Sequence, residues 1–306
     1  MRLAIFLVAA SGWLTMSRPG FKILYRPGMD GFAKIIAKSS APAKKITEKN
    51  LAFNFDQTIN IAITSNDEDF RAAQTGVPEW AAATAHPAEN LIFLKPLKDM
   101  SPENLAVTFR HELAHILIYH RLQGHPAARW FEEGMAVLSS GEMEFARFQA
   151  LGIIGLSGRY IPFRELDSGF PADSSRAQVA YIESESFVAY LKAQLGMENF
   201  SRFLDRLAGG ENFYPALEQT SGLSFDRLQE NWAEQVRRRY GIIAIAGGST
   251  GLWFLITLLF LLAYLTKKLR GRRKERLLEL ESIGYRGQNY QDDDPERNPE
   301  GEIKWH

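Results

Sequence analysis

The stretch TFRHELAHILIY, Thr108 to Tyr119, sets two histidines four residues apart with a glutamate directly after the first. In an α-helix, residues i and i+4 share a face about 6 Å apart along the axis. His111 and His115 can therefore aim ring nitrogens at one point. Glu112 lies about 100° round from His111, where its carboxylate can reach a metal-bound water without taking a coordination position. That is the mechanical content of a His-Glu-x-x-His zinc site. The flanks oppose a plain surface helix. Phe109, Leu113, Ile116 and Leu117 form an apolar stripe, and Val107, Ile118 and Tyr119 widen it. A helix apolar over most of its circumference is buried, and buried histidines need partners.

Ser101 is a suitable N-cap, Pro102 suits the first helical position and Glu103 complements the dipole. The helix is expected to run to about Gln123, with Gly124 ending it. A catalytic zinc takes three protein ligands and a water, so a third donor is required. The chain turns at Gly124 and Pro126, and a second helix is expected from near Pro126 to Gly141. From His115 the first helix continues for about 12 Å, and the second climbs back about 10 Å by Glu133. This antiparallel return nominates the pair Glu132 and Glu133. Glu133 shares a face with Trp130, Gly134 and Val137, whereas Glu132 shares one with Arg129, Ala128, Ala136 and Ser139. The more apolar face points inward, so Glu133 is taken as ligand and Glu132 as a solvent charge. Gly134 is expected to let the helices approach closely. His120, five beyond His115, lies on another face, and His125 fits a turn.

Two segments speak about membranes. Residues 1–20 open with Arg2, a short apolar core and the small Ala9 and Ala10, the pattern of a signal peptide or signal anchor. Gly241 to Thr266 carries no charged residue over a length that can cross about 30 Å of hydrocarbon as a helix. Six basic residues between Lys267 and Lys274 follow it, against Arg237, Arg238 and Arg239 before it. The heavier basic flank stays in the cytoplasm. The expected plan is a signal segment at 1–20, an extracytoplasmic domain at 21–238, a single transmembrane helix at 241–266 in contact with membrane lipid, and a basic, disordered cytoplasmic tail at 267–306. The extracytoplasmic side is the periplasm or the cell surface.

Composition excludes more than it assigns. There is no cysteine, so disulfides, thiolate nucleophiles and cysteine metal sites are ruled out. Thirty-six basic residues balance 36 acidic ones, which leaves no strong field for nucleic acid. Ile59–Ser65 and Asn90–Pro96 read as strands, with a helix from near Asp67 between them. Residues 21–57 are mixed, and SSAPAKK resembles a loop. Helices fit Ala177–Leu195, Met197–Ala208 and Leu223–Arg238, and Phe213–Gly222 suits a short helix and turn.

HELAH followed by WFEEGMA resembles the gluzincin zinc metallopeptidases, and more closely the peptidase MA-like domain family. YIESESFVAYL, Tyr181 to Leu191, is similar to the helix behind that family's active site, and NLIFLKP to its edge strand. The likeness covers roughly Ile59 to Leu207. It implies an α+β, thermolysin-like fold of a small mixed sheet plus helices, with Zn2+ held by His111, His115 and Glu133. It implies a peptide or protein substrate paired with the edge strand around Ile92 to Leu94, and hydrolysis with Glu112 as general base. Tyr181 becomes the candidate oxyanion donor by its position in the resembling helix, a packed core tyrosine being the alternative. Ser184 and Ser186 read as close-packing residues. One departure stands out: the position four after the third ligand, often acidic in thermolysin-like enzymes, is Val137. That leaves open a catalytically silent relative acting as an extracytoplasmic binding module. An intramembrane protease is disfavoured, because Arg110, Glu112 and Arg121 make the histidine helix unsuited to a bilayer.

Overall fold

The computed structural model describes residues 12–66, 70, 82–95, 100–141, 144–247, 253 and 256–268. The chain forms two compact units, Met1–Ala244 and Ile245–His306.

The first unit is built on a five-stranded mixed sheet. Its strands are β1 (Leu14–Arg18), β2 (Phe21–Tyr25), β3 (Ile59–Ile63), β4 (Ala83–His86) and β5 (Leu91–Leu94), in the spatial order β1-β2-β3-β5-β4. β2, β3 and β5 run parallel, while β1 and β4 pair antiparallel at the two edges. β1 lies inside the stretch read from sequence as a signal segment. It is hydrogen-bonded along its whole length to β2, so the ordered domain takes in residues ahead of position 21.

β5 corrects a second expectation. Ile92–Leu94 is not an edge but lies between β3 and β4, with every residue of Leu91–Leu94 buried. An unbroken apolar run such as LIFL suits a strand covered on both faces. Among the described residues the edge on this side of the sheet is the half-buried ATAH of β4.

Between β2 and β3 the chain crosses over through α1 (Asp30–Leu51), which takes in the loop-like SSAPAKK. The misleading features were Pro42, which sits inside the helix, and the hydroxyls around it. The hydroxyls are satisfied within the helix itself: Ser40 donates to Ile36 and Thr47 to Ala43. The buried face Ala33, Ile36, Ser40, Ala43, Thr47 and Leu51 follows a three-four spacing in small residues. The helix expected near Asp67 falls largely outside the described residues.

The helices that follow are α2 (Pro102–Arg121), α3 (Arg129–Ser140), α4 (Glu144–Ser157), the one-turn α5 (Phe163–Leu166), α6 (Ser174–Ala208), α7 (Phe213–Ser221) and α8 (Phe225–Gly247). Gly196 takes φ 71 and ψ 165 within α6, dividing it where the sequence separated Leu195 from Met197. An aromatic core binds these helices to one another. Trp130 of α3 stacks on Phe187 of α6 at 5.1 Å and packs against Phe163, Phe213 and Phe225.

In the second unit, residues 256–268 are helical, and Trp253, Phe260 and Tyr264 are exposed. Among the described residues no helix is long and apolar enough to cross a membrane. Residues 248–252, 254 and 255 of the expected span lie outside the described residues, as do residues 1–11 and the tail from 269.

Candidate metal centre

α2 and α3 form the antiparallel pair that the spacing of the histidines and glutamates requires. Ser101 caps α2, its hydroxyl accepting from the Asn104 amide at 3.1 Å, with Pro102 in the first turn. The turn after α2 places Gln123 and Gly124 at positive φ. α3 then starts at Arg129, three residues later than expected, and closes on Gly141 at φ 70.

Side-chain bonds hold the pair in register. Arg110 on α2 donates to the Ser140 carbonyl in the last turn of α3, where a cation also suits the helix dipole. Asn50 of α1 donates to the Ser139 hydroxyl, and Lys192 of α6 donates to the carbonyl and side chain of Asn50. At the far end of α2, the buried Arg121 donates to Leu51 and to Ser201 and Asp205.

The result is a tight triangle of ligand atoms. His111 Nε2 and His115 Nε2 lie 3.1 Å apart, and Glu133 Oε2 lies 3.4 Å from the first and 3.6 Å from the second. Donors about 2.0–2.1 Å from a tetrahedral metal must be roughly 3.3 Å from one another. The three separations bracket that value, so two imidazoles and one carboxylate fit a single cation with the fourth direction free for water. Among the described residues this is the group of three that could hold a metal ion.

Electrostatics point the same way. Burial lowers the pKa of His115, but the hydrogen bond and charge of Glu133, with help from Glu112 and Glu132, carry it up to about 9. Burial would raise Glu133, yet its bonds to His115 and His111 hold it well below the usual carboxylate range. Carboxylate and imidazoles together thus stabilise charge that would otherwise be costly in a partly buried site.

Gly134 explains why α3 can bring Glu133 so deep. A Cβ there would lie 2.5 Å from the Ser184 carbonyl oxygen and 2.9 Å from Val188 Cγ2. The close approach is therefore between α3 and α6, not within the α2–α3 pair as the sequence reading had it. Ser184 is buried as expected, and Ser186 accepts from Trp232 Nε1 at 3.1 Å.

Glu112, His115, Glu132 and Glu133 open onto one cavity of about 620 Å³, whose other wall includes Thr84 and Ala85 of β4. Glu132 is no solvent charge. Its carboxylate accepts from the Ala127 amide at 2.9 Å, and burial raises its pKa, partly offset by that bond. Ala136 and Ser139, on its side of the helix, are buried too, so the two faces of α3 differ less than their sequence suggested. Tyr181 packs edge-on to the His111 ring at 6.4 Å and lies against Phe170 at 4.6 Å. Val137 is buried. His120 binds the Asn90 side chain and His125 lines the cavity wall, so neither joins the triangle.

A family model for the Peptidase MA superfamily matches residues 43–238. The chain belongs to that superfamily. The matched residues run from within α1 into α8 and contain the whole triangle. A search of curated proteins finds no match. Among solved structures, a mutant two-domain M1 zinc metallopeptidase bound to L-arginine is 16% identical with a TM-score of 0.42, covering 75% of this chain and 51% of its own. An M1 zinc metallopeptidase from Deinococcus radiodurans gives 16% and 0.41, with the same coverage. Native yeast LTA4 hydrolase gives 13% and 0.41, covering 76% of this chain and 38% of its own. The chain spans about half the length of the two M1 structures or less of the third.

Proposed function

We propose that this member of the Peptidase MA superfamily is a membrane-anchored zinc peptidase that hydrolyses peptide bonds on the extracytoplasmic side. The carrying observation is the convergence of His111, His115 and Glu133 at tetrahedral spacing beside a cavity that Glu112 also lines.

His111, His115 and Glu133 would hold the ion. Zinc, when bound there, lowers the pKa of a coordinated water toward about 7 and polarises a carbonyl. Glu112 is next in sequence to one ligand and faces the same cavity. It takes the proton from the attacking water and passes it to the departing amine nitrogen as the C–N bond breaks. Tyr181, beside His111, is the candidate donor to the developing oxyanion. An extended substrate would add to the edge strand β4, since Thr84 and Ala85 line the cavity with Glu112 and His115. Anchoring rests on the uncharged stretch Gly241–Thr266 and orientation on the basic run after it.

The test is Glu112→Gln in the full chain. The variant is expected to bind one equivalent of zinc as the parent does, and to lose about 10²- to 10⁴-fold in peptide cleavage. Equal zinc binding with equal cleavage would abandon the enzyme reading and leave a binding module.

A further inference from the structure

α4 is apolar on both of its sides. Leu151 and Ile154 are buried in the core, while Phe148, Ile153 and Leu156 are 47%, 65% and 54% exposed. At 100° per residue these three exposed side chains fall within about 140° of arc. The ten residues from Phe148 to Ser157 carry no charge. A helix of that kind is covered on every side, and a contiguous exposed apolar patch marks an interaction surface.

Its position in the unit indicates what covers it. Phe148 packs on Tyr240 of α8 with ring centroids 5.9 Å apart. α8 continues from Tyr240 to Gly247, and the uncharged sequence Gly241–Thr266 begins at the residue after Tyr240. The patch therefore meets the core at the place where the chain leaves toward its anchor. The three residues before Tyr240 are arginines, of which Arg237 and Arg238 pair with Glu234. Arg239 lies over the Tyr240 ring at 5.7 Å, next to Arg237 and Arg238. Tyrosine beside arginine at the end of an apolar span is the pattern of a membrane interface. Between α4 and the first turns of α6 lies a cavity of about 560 Å³ that Ile153 lines together with Gln149, Ser157, Arg159 and Gln178.

We infer that the exposed face of α4 is a lipid-contacting surface: Phe148, Ile153 and Leu156 dip into the outer leaflet. The peptidase domain then has an attachment to lipid in addition to its anchor. This rests on the anchored reading given above and adds to it a site that no part of that reading requires.

Because the chain has no cysteine, single cysteines report cleanly. Ile153→Cys, Leu156→Cys and, as a control on exposed Ile46 of α1, Ile46→Cys are made in the full chain and labelled with a nitrobenzoxadiazole dye. Each is reconstituted in vesicles of phosphatidylcholine and phosphatidylglycerol. Nitroxide-labelled lipid should quench the probes at 153 and 156 strongly and spare 46, and aqueous iodide should do the reverse. Retention after an alkaline wash with iodide access at 153 and 156 equal to that at 46 overturns the α4 surface and leaves the anchor standing. Shielding from iodide without nitroxide quenching overturns it too, since another protein surface then covers the face. Release of the chain by the wash removes the anchor and this inference together.

Discussion

Replacing Gly134 with alanine should damage the metal centre without touching a ligand. The added Cβ would sit 2.5 Å from the Ser184 carbonyl oxygen, 2.7 Å from its carbon and 2.9 Å from Val188 Cγ2. Ordinary contact begins near 3.4 Å, so α3 and α6 must part by roughly 0.9 Å at this point. The obstacle is backbone and cannot rotate away. Overpacking of this kind costs about 1–3 kcal/mol, or a fall in Tm of roughly 2–12 °C for a domain of this size. Glu133 precedes Gly134, and metal–ligand distances tolerate only about 0.2 Å. The same shift should therefore weaken zinc binding about tenfold or more, the range seen when groups supporting ligands are lost. Gly31→Ala is the control: nothing lies within 4 Å of its Cβ and the residue is helical, so the change should be neutral or stabilise by up to about 1 kcal/mol. Thermal melts with a competitive zinc titration read both effects. A Gly134→Ala protein as stable and as tightly metallated as the parent would refute the contact between α3 and α6.

Other outcomes follow from charge and protonation. Glu183 is buried and accepts from the Ile161 amide at 3.0 Å, and burial raises its pKa to about 8. A carboxyl raised in the fold contributes stability that is complete below its unfolded value of 4.5 and is lost as pH climbs through 8. Glu183→Gln should thus raise Tm relative to the parent more at pH 8.5 than at pH 5; an equal shift at both would contradict the assignment. In the metal-free protein His115 holds its proton up to about pH 9, and zinc must displace it. Apparent zinc affinity should rise about tenfold per pH unit between pH 7 and 9, measured by competition titration, and a flat profile there would count against the charged His115–Glu133 contact.

What could be read from the residues was what local periodicity controls. The α2 cap at Ser101, the His111–His115 face, the return of Glu133 and the break at Gly196 each depend on helical spacing over a few residues. What could not be read depends on partners distant in sequence. LIFL was recognisable as a strand, but its central place follows from β4, whose short polar ATAH carries little signal. α1 was hidden because Pro42 and two serines are loop residues on average, and only the burial of its small-residue face reveals the helix. Glu132 looked solvated because its partner, the Ala127 amide, lies outside its own helix. Gly134 was suspected of close packing, yet which helix it admits was decided by Ser184, fifty residues on.

X-ray absorption at the zinc edge of the purified full chain tests the central claim most directly. Two imidazole nitrogens and carboxylate oxygen about 2.0–2.1 Å from a four-coordinate zinc are expected, with the carboxylate contribution lost and the metal content sharply reduced in Glu133→Ala. A zinc whose spectrum and occupancy are unchanged by Glu133→Ala would contradict it.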